Sequence, residues 1–386
     1  MKKSLKVLAL VLSVALVAFC FAGCGDSKES SEATIKIGGI GPITGGAAVY
    51  GQAVKNAAEM AVEEINEAGG INGVKLEFNF QDDEHDPEKS VNAYNNLKDW
   101  GMQALMGTVT TAPCLAVIEK SHEDNMFQLT PSASATDVVK YDNTYQICFT
   151  DPNQGTKSAD YIADNNLATK VAVIYNSSDA YSSGIYNKFA EEAKVKGIEV
   201  VSAEAFTDDS KTDFSVQLNK SKNSGAELVF LPIYAQEASQ ILQQANSMGY
   251  QTKFFGCDGL DGVLAIDGFD QSLAEGVILL TPFVAGDTKS EANIKFTNKF
   301  KEKYNDTPNQ FAADAYDAIY IIAECMKAGN VTADMSASDI CDIMKTQMTK
   351  VKYDGLTGEG ITFAADGTVN KSPNAMKIQN GEYVPM

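Results

Sequence analysis

The fold is decided by residues 35–80, which begin IKIGGIGPITGGAAVYGQAVKNAAEMAVEEI. The first four residues are typical of a short strand, and the glycine-rich turn 39–46 follows them. Apolar residues then recur at steps of four, three and four, which places them on one helical face: Val54, Ala58, Ala61 and Ile65. A glycine pair ends this helix, and residues 74–80 alternate between apolar and polar side chains as a strand does. The stretch is therefore a strand–helix–strand unit.

The same alternation continues along the chain. Asp86 is a suitable N-cap, and Pro87 a suitable first residue, for a helix that ends at Gly101. Further strands are predicted at residues 104–106, 126–130, 170–175, 199–205, 228–231 and 253–256. Strands that alternate with helices form parallel sheets covered on both faces, so the sequence predicts an α/β fold. Ligands of such folds bind at the carboxyl ends of the strands.

The strand–helix units are too many for one sheet of ordinary width, so we expect two doubly wound parallel-sheet lobes. Residues 149–153 are suited to cross between the lobes, and a second crossing is expected near 281–282. The helix-rich stretch 291–348 is expected to pack back on the first lobe, and short strands at 361–363 and 375–379 return to the second. The predicted lobes are 34–150 with 282–356 and 151–281 with 357–386. Several crossings imply a hinge with a cleft between the lobes.

Residues 1–23 carry the pattern of an export signal, with three lysines near the start and an apolar run at 7–22. Two small residues precede Cys24, which resembles the site at which bacterial lipoproteins are cleaved and the cysteine thiol is lipidated. Residues 24–33 are rich in serine and glutamate and are predicted to tether the protein to the membrane. The alternative is an ordinary secretory signal in which the cysteine is incidental.

The composition of the 386 residues excludes several classes of protein. Acidic side chains number 51 against 31 basic ones, and a formal charge of -20 repels the phosphate backbone of nucleic acids. A hydrophobic fraction of 44% is too high for a disordered chain. The two histidines and the five cysteines that follow Cys24 lack the spacing of a zinc site, so no metal is predicted. Five cysteines are expected to be buried free thiols: Cys114, Cys148, Cys257, Cys325 and Cys341.

Catalytic and nucleotide-binding motifs are missing from the sequence. It contains neither a G-x-S-x-G nucleophile turn nor a G-x-x-x-x-G-K-[ST] phosphate loop. Residues 39–44 are superficially like a dinucleotide loop, but Thr44 replaces the third glycine and Pro42 removes a backbone donor. The acidic residues 82–86 could hold a cation. They follow a strand and include a helix cap, however, which favours a solvated loop.

The sequence also resembles a known family. Residues 40–45, 50–51 and 65–73 are similar to the opening of type I periplasmic substrate-binding proteins of the leucine/isoleucine/valine-binding family. Further matches keep the family's order, at residues 82–87, 130–134, 212–214, 256–259 and 313–318. Together the matches extend over almost the whole chain, so the resemblance is specific as a set.

The resemblance implies a two-lobed Venus-flytrap protein without enzymatic activity or cofactor. Such a protein captures an amino acid, branched-chain by default, for an ABC importer, and its partners are the permease and ATPase subunits. A monomer is expected. In Gram-positive bacteria these proteins are usually lipoproteins, which agrees with Cys24 and implies a place on the extracellular face of the cytoplasmic membrane. The alternatives are a ligand sensor without transport and an exported enzyme acting in the same cleft.

The resemblance also implies which residues contact the ligand. Its carboxylate would meet the Thr111 hydroxyl, the backbone of Ser132 and Ala133, and the Ser134 hydroxyl. Asp258 stands where the family usually has an acid that pairs with the ligand ammonium. If the family residue is glutamate, Asp258 is shorter by one methylene, and a water bridge or a shifted ligand becomes an option.

Aromatic side chains are expected to fill the rest of the cleft: Tyr50, Tyr181, Tyr234 and Phe283. The resemblance further places the two positions of a family disulfide at His85 and Thr110, so that disulfide is absent here.

Overall fold

A computed structural model describes residues 33–386 of the protein. The predicted signal peptide at 1–23, Cys24 and the tether up to residue 32 lie outside the described residues. Two β-sheets and ten α-helices make up the described part. None of these helices is both long and apolar enough to cross a membrane.

Five strands form the first sheet: β1 Ile35–Gly41, β2 Leu76–Asp82, β3 Ala104–Gly107, β4 Gln128–Thr130 and β5 Thr144–Gln146. They are all parallel and lie in the order β2-β1-β3-β4-β5. The chain winds outward on both sides of β1, as predicted for a doubly wound sheet. The prediction does not include β5, because a three-residue strand has too little periodicity to detect.

Seven strands form the second sheet: β6 Lys170–Asn176, β7 Glu199–Phe206, β8 Leu228–Leu231, β9 Lys253–Gly256, β10 Ile278–Thr281, β11 Asn374–Gln379 and β12 Glu382–Pro385. Their order is β12-β11-β10-β9-β8-β6-β7, and β6 to β10 pair in parallel. The expected strand at 375–379 is confirmed as β11. It pairs antiparallel with β10 and β12, so the expectation of a wholly parallel sheet is wrong at this edge.

The antiparallel edge has a local cause. Asn380 and Gly381 connect β11 to β12, and both have positive φ angles, of 54° and 76°. A two-residue turn with this geometry joins antiparallel strands. The strand expected at 361–363 is reduced to isolated bridges, in which Ile361 pairs with Tyr353 and Phe363 pairs with Val369.

The helices are α1 Ala48–Glu67, α2 Pro87–Trp100, α3 Thr111–Glu123, α4 Asp151–Asp164, α5 Ala180–Val195, α6 Ser215–Asn223, α7 Ala235–Ser247, α8 Glu291–Tyr304, α9 Gln310–Ala328 and α10 Ala337–Met348. Helix α2 has the predicted cap, since the Asp86 carboxylate accepts from the backbone N–H groups of Glu88 and Lys89. Helices α8 and α9 pack on α1, and α10 packs on α9 and β3, so this late stretch lies with the first sheet. The predicted residue limits of the lobes stay a prediction.

Within one strand, alternate side chains belong to different hydrophobic clusters. In β3, Ala104 and Met106 join one cluster and Leu105 joins another. In β8, Val229 and Leu231 belong to one cluster, whereas Leu228 and Phe230 belong to a second. Because alternate residues of a strand point to opposite faces, both sheets are covered on both sides. The five cysteines expected as free thiols are buried and unpaired.

The last stretch of chain between α10 and β11 is held by two acids of α9. Asp317 accepts hydrogen bonds from the backbone N–H groups of Leu356 and Thr357, both at 2.9 Å. Asp314 pairs with Lys371 at 2.5 Å, and both side chains are almost completely buried. Burial raises the pKa of Asp314 to about 6, while Lys371 opposes the rise. These polar contacts fix residues 356–371 against α9.

Candidate functional site

A closed cavity lies where the carboxyl ends of the two sheets face each other. Both sheets contribute to its wall: Tyr50, Val109, Thr110, Thr111, Ser132, Tyr181, Tyr234, Asp258, Gly259 and Phe311. The cavity has about 240 Å³ of space between atoms, a volume that includes its opening to solvent, and only about 10 Å³ of this can hold the centre of a water molecule. That is room for about one water. The lobes are therefore closed on a small site.

Asp258 is the charged residue of this wall. It begins a short 3₁₀ turn directly after β9 and is 3% exposed. The Tyr181 hydroxyl donates to its Oδ1 at 2.7 Å, and its backbone N–H donates to Gln154 Oε1 at 3.1 Å. Burial raises the pKa of Asp258 to about 7, against the opposing hydrogen bond from Tyr181. A cation in the cavity would favour the ionised carboxylate.

The ring of Tyr181 is fixed from several sides. It lies in the first turn of α5, where the Asp179 carboxylate caps the helix. Its hydroxyl accepts from the Gly259 N–H at 2.9 Å, in addition to donating to Asp258. Its ring stacks on Tyr234 with centroids 4.8 Å apart and 14° between planes. The Tyr181 hydroxyl is thus used within the protein and orients the carboxylate of Asp258.

Donors for an anion are found at the start of α3. Thr111 is the first residue of this helix, so its backbone N–H and that of Ala112 have no acceptor within the helix. The Thr111 hydroxyl accepts from the Ser134 N–H at 3.3 Å, which leaves its own proton available. The N-terminal end of a helix also carries partial positive charge. These donors suit a carboxylate at this end of the site.

The loop after β4 uses several of its predicted donors internally. The Ser132 hydroxyl donates to the Val109 carbonyl at 2.6 Å. The backbone N–H groups of Ser132 and Ala133 donate to Thr130 Oγ1 at 3.3 Å and 2.9 Å. In this closed structure a ligand would compete with Thr130 for them.

Three residues predicted from the sequence are not among the cavity-lining residues. Ala133 is fully buried and packs in the cluster of Cys114, and Ser134 is 1% exposed. Phe283 turns toward α8, where its ring meets that of Phe296 at 5.9 Å. The crossing that carries Phe283 leads into α8, and this explains the direction of the ring. Their roles as ligand contacts stay predictions.

Sequence reasoning missed Val109, Thr110, Gly259 and Phe311. Gly259 and Thr110 are neighbours of predicted residues, so proximity along the chain could have found them. Phe311 is the second residue of α9, and its ring lies 4.6 Å from that of Tyr50. No local pattern identifies this contact, because α9 reaches the cavity from a distant part of the chain.

A second acid, Asp151, is buried near this site as the first residue of α4. Its backbone N–H donates to the Ser134 carbonyl at 2.8 Å. Within residues 33–386, neither its carboxyl oxygens nor the Ser134 hydroxyl meets the distance and angle limits of a hydrogen bond. Burial raises the pKa of Asp151 well above its usual range.

The two positions at which the resemblance places a disulfide do face each other. His85 Nδ1 and Thr110 Oγ1 lie 2.9 Å apart, so a hydrogen bond joins the same two segments. Burial lowers the pKa of His85 to about 4, and the ring is therefore neutral at pH 7. It packs against Tyr234, with centroids 5.3 Å apart.

The acidic residues 82–86 are only partly the solvated loop that the sequence favours. Asp83 is fully buried, which contradicts that expectation, because its Oδ1 accepts the His85 N–H and holds the loop inward. Asp82 accepts from the Ile43 N–H at 2.9 Å and so fixes the glycine-rich turn. In the part of the chain that the structure describes, no three metal-ligating side chains are grouped.

Comparison with known proteins agrees with this arrangement. The chain matches the periplasmic binding protein family over residues 34–382. It is 32% identical over 338 residues to the Leu/Ile/Val-binding protein homolog 3 of Brucella melitensis, covering 86% of this chain and 88% of that protein. It is 29% identical over 330 residues to the leucine-, isoleucine-, valine-, threonine-, and alanine-binding protein of Pseudomonas aeruginosa, covering 84% and 87%.

Among solved structures, the chain is similar to the branched-chain amino acid transporter substrate-binding protein LivJ of Streptococcus pneumoniae in complex with isoleucine. The TM-score is 0.82 at 28% identity, covering 92% of this chain and 100% of the other. Sequence and fold agree over almost the whole described chain. The protein therefore belongs to the type I periplasmic binding proteins of the leucine/isoleucine/valine-binding family.

Proposed function

We propose that the protein captures an α-amino acid between the lobes at this site, in a cleft wider than the cavity described above, and delivers it to an ABC permease. The observation that carries this proposal is the pairing of one ionisable acid, Asp258, with the start of α3 across a small cavity. A zwitterion satisfies both ends at once, since its ammonium meets Asp258 and its carboxylate meets the donors near Thr111. Water is excluded from the closed site, so each charge needs its partner in the protein.

The side chain of the ligand is proposed to be compact and uncharged. Aromatic rings of Tyr50, Tyr181, Tyr234 and Phe311 surround the remaining space, and they offer apolar contact. Asp258 is the one charged group among the described lining residues, and the ligand ammonium uses it. The names of the Pseudomonas and Streptococcus relatives point the same way, to leucine, isoleucine, valine, threonine or alanine.

The wider setting follows from the family and from the N-terminal sequence. We propose that cleavage before Cys24 and lipidation of its thiol anchor a monomer to the extracellular face of the cytoplasmic membrane. There it would meet permease and ATPase subunits, without a cofactor and without enzymatic activity. The lipobox-like residues before Cys24 support the anchor, and the family's solute-binding role supports capture rather than catalysis.

Isothermal titration of the protein lacking its signal peptide is expected to show one site per chain for isoleucine, leucine or valine. Ligand at about 100 times its Kd should stabilise the fold by about 2.7 kcal/mol, seen as a higher melting temperature. Two analogues of isoleucine are the controls, one lacking the ammonium group and one lacking the carboxylate. Both should bind much more weakly. Absence of heat and thermal shift with all common amino acids would contradict the proposal.

Binding is also expected to depend on pH through Asp258. Its pKa of about 7 lies above the ordinary value, so below pH 7 a proton must leave before the ammonium can bind. The Kd should be constant above about pH 8 and rise about tenfold for each unit below about pH 7. Calorimetry from about pH 5 to pH 8 measures this, and Asp258→Asn should abolish the slope. A Kd that does not change over this range would contradict the role of Asp258.

A further inference from the structure

The hydroxyl group of Tyr50 connects the two lobes. Tyr50 lies in the first turn of α1, beside the first sheet, and is 1% exposed. Its hydroxyl donates to the Gly259 carbonyl at 2.6 Å and accepts from the Ala235 N–H at 2.7 Å. Both partners follow strands of the second sheet, Ala235 after β8 and Gly259 after β9. One side-chain atom thus joins α1 to two separate loops of the opposite lobe.

The two hydrogen bonds satisfy the Ala235 N–H and the Gly259 carbonyl, which need a partner when the cleft is closed. Ala235 is the first residue of α7, and its N–H therefore has no acceptor within that helix. Burial raises the pKa of Tyr50 well above its usual value, so the hydroxyl keeps its proton and remains a donor. Both bonds are within the distances of good hydrogen bonds. The Tyr50 hydroxyl has no further proton to offer a ligand.

The loop after β9, which contains Gly259, also carries the proposed ammonium site. Gly259 is adjacent to Asp258, and its N–H donates to the Tyr181 hydroxyl that orients the Asp258 carboxylate. From the same side as Tyr50, Gln310 at the start of α9 donates through Nε2 to the Asp258 carbonyl at 3.0 Å. Residues 258–259 are therefore held by the first lobe on one side and face the cavity on the other.

We propose that Tyr50 is an interlobe clasp: its hydroxyl stabilises the closed form by bonding Ala235 and Gly259, and thereby positions Asp258, instead of contacting the ligand. The inference rests on the proposed function in that a bound amino acid closes the cleft. In an open cleft, water forms hydrogen bonds with the Tyr50 hydroxyl, the Ala235 N–H and the Gly259 carbonyl in place of those between the lobes. In a closed cleft without the hydroxyl, the Ala235 N–H and the Gly259 carbonyl are buried without partners, which is costly.

The clasp is tested by Tyr50→Phe, which keeps the ring and its contact with Phe311. The Kd for isoleucine should rise about 10- to 100-fold, because two buried groups lose their partner only in the closed form. The dissociation rate should rise by the same factor, with little change in the association rate. The Kd for valine and for alanine should rise by the same factor as the Kd for isoleucine, because the Tyr50 hydroxyl does not touch the ligand and the ring is kept. The melting temperature of the ligand-free protein should not change.

Tyr94→Phe is the matched control. Tyr94 is equally buried, but its hydroxyl donates at 2.9 Å to Asp124, which belongs to the same lobe. This variant should lower the melting temperature and leave the Kd unchanged. The opposite pattern, in which Tyr50→Phe lowers the melting temperature and leaves the Kd unchanged, would overturn the clasp. Different fold-changes for isoleucine, valine and alanine would also overturn it, because they would show direct contact with the ligand.

Comparing the wild type with Tyr50→Phe distinguishes a failure of the clasp from a failure of the proposed function. If the wild-type protein binds an amino acid and Tyr50→Phe binds it equally well, the clasp is wrong and the function stands. If the wild-type protein binds none, the function is wrong and the closed form is the resting form of the protein, so hydrogen exchange then tests the clasp without a ligand. The Ala235 amide should exchange faster in Tyr50→Phe than in the wild type and at the wild-type rate in Tyr94→Phe. An unchanged rate in Tyr50→Phe would overturn the clasp.

Discussion

Asp258→Asn is expected to weaken isoleucine binding by about 150- to 5,000-fold at about pH 8, where the wild-type carboxylate is ionised. The ligand ammonium would then be buried without its counter-charge, and breaking a buried ion pair costs about 3–5 kcal/mol. Thr111→Ala should cost about 1–3 kcal/mol, because the ligand carboxylate keeps the backbone donors at the start of α3. Titration calorimetry of the two variants measures the ranking.

The same two variants separate the site assignment from the ligand class. A ligand without an ammonium group should bind Asp258→Asn as well as the wild type or better, since burial makes the charged carboxyl unfavourable. The ligand-free variant should keep its melting temperature for the same reason. Equal losses for isoleucine in Asp258→Asn and Thr111→Ala would remove the support for Asp258 as the ammonium partner.

Lys371→Met is expected to lower the free energy of unfolding by about 3–5 kcal/mol. The change keeps most of the aliphatic volume but leaves Asp314 buried without its partner at 2.5 Å. Urea unfolding, followed by circular dichroism, measures the loss. The segment that carries Lys371 should be affected first, because this ion pair and Asp317 are the polar contacts that hold it to α9.

Two further variants control this result. The double variant Lys371→Met/Asp314→Leu should recover most of the lost stability, because two apolar side chains replace the pair without an unpaired charge. Lys188→Met removes an exposed ion pair with Glu191 and should leave stability unchanged. If Lys371→Met is as mild as Lys188→Met, the buried pair does not hold the segment.

Local patterns in the sequence are enough to place most secondary structure. Strands β3, β8 and β9 lie where short apolar runs predict them, and α2 begins after the predicted cap at Asp86. These signals are contained in a few neighbouring residues, such as a side chain that caps its own helix. Strands β10 and β12 are as long as β3, β8 and β9 but are not predicted; β12 lies at the edge of the sheet and is defined mainly by its pairing with β11.

The candidate site is partly predictable for a topological reason. Thr111, Ser132, Tyr181, Tyr234 and Asp258 each follow a predicted strand, and parallel strands bring such positions to one edge of a sheet. Phe283 also follows a strand, yet its ring packs on α8. The position along a strand thus gives the edge of the sheet but not the direction of the side chain.

The sequence by itself determined the strand and helix order, the α/β class and the family, because periodicity, caps and motifs are local in the chain. Only the tertiary structure decided what the functional side chains touch. The Tyr50 hydroxyl bonds residues 185 and 209 positions away, and Lys371 meets Asp314 across 57 positions. Such pairs form when distant segments pack together, and the burial that results also raises the pKa of Asp258. Neither effect leaves a pattern in neighbouring residues.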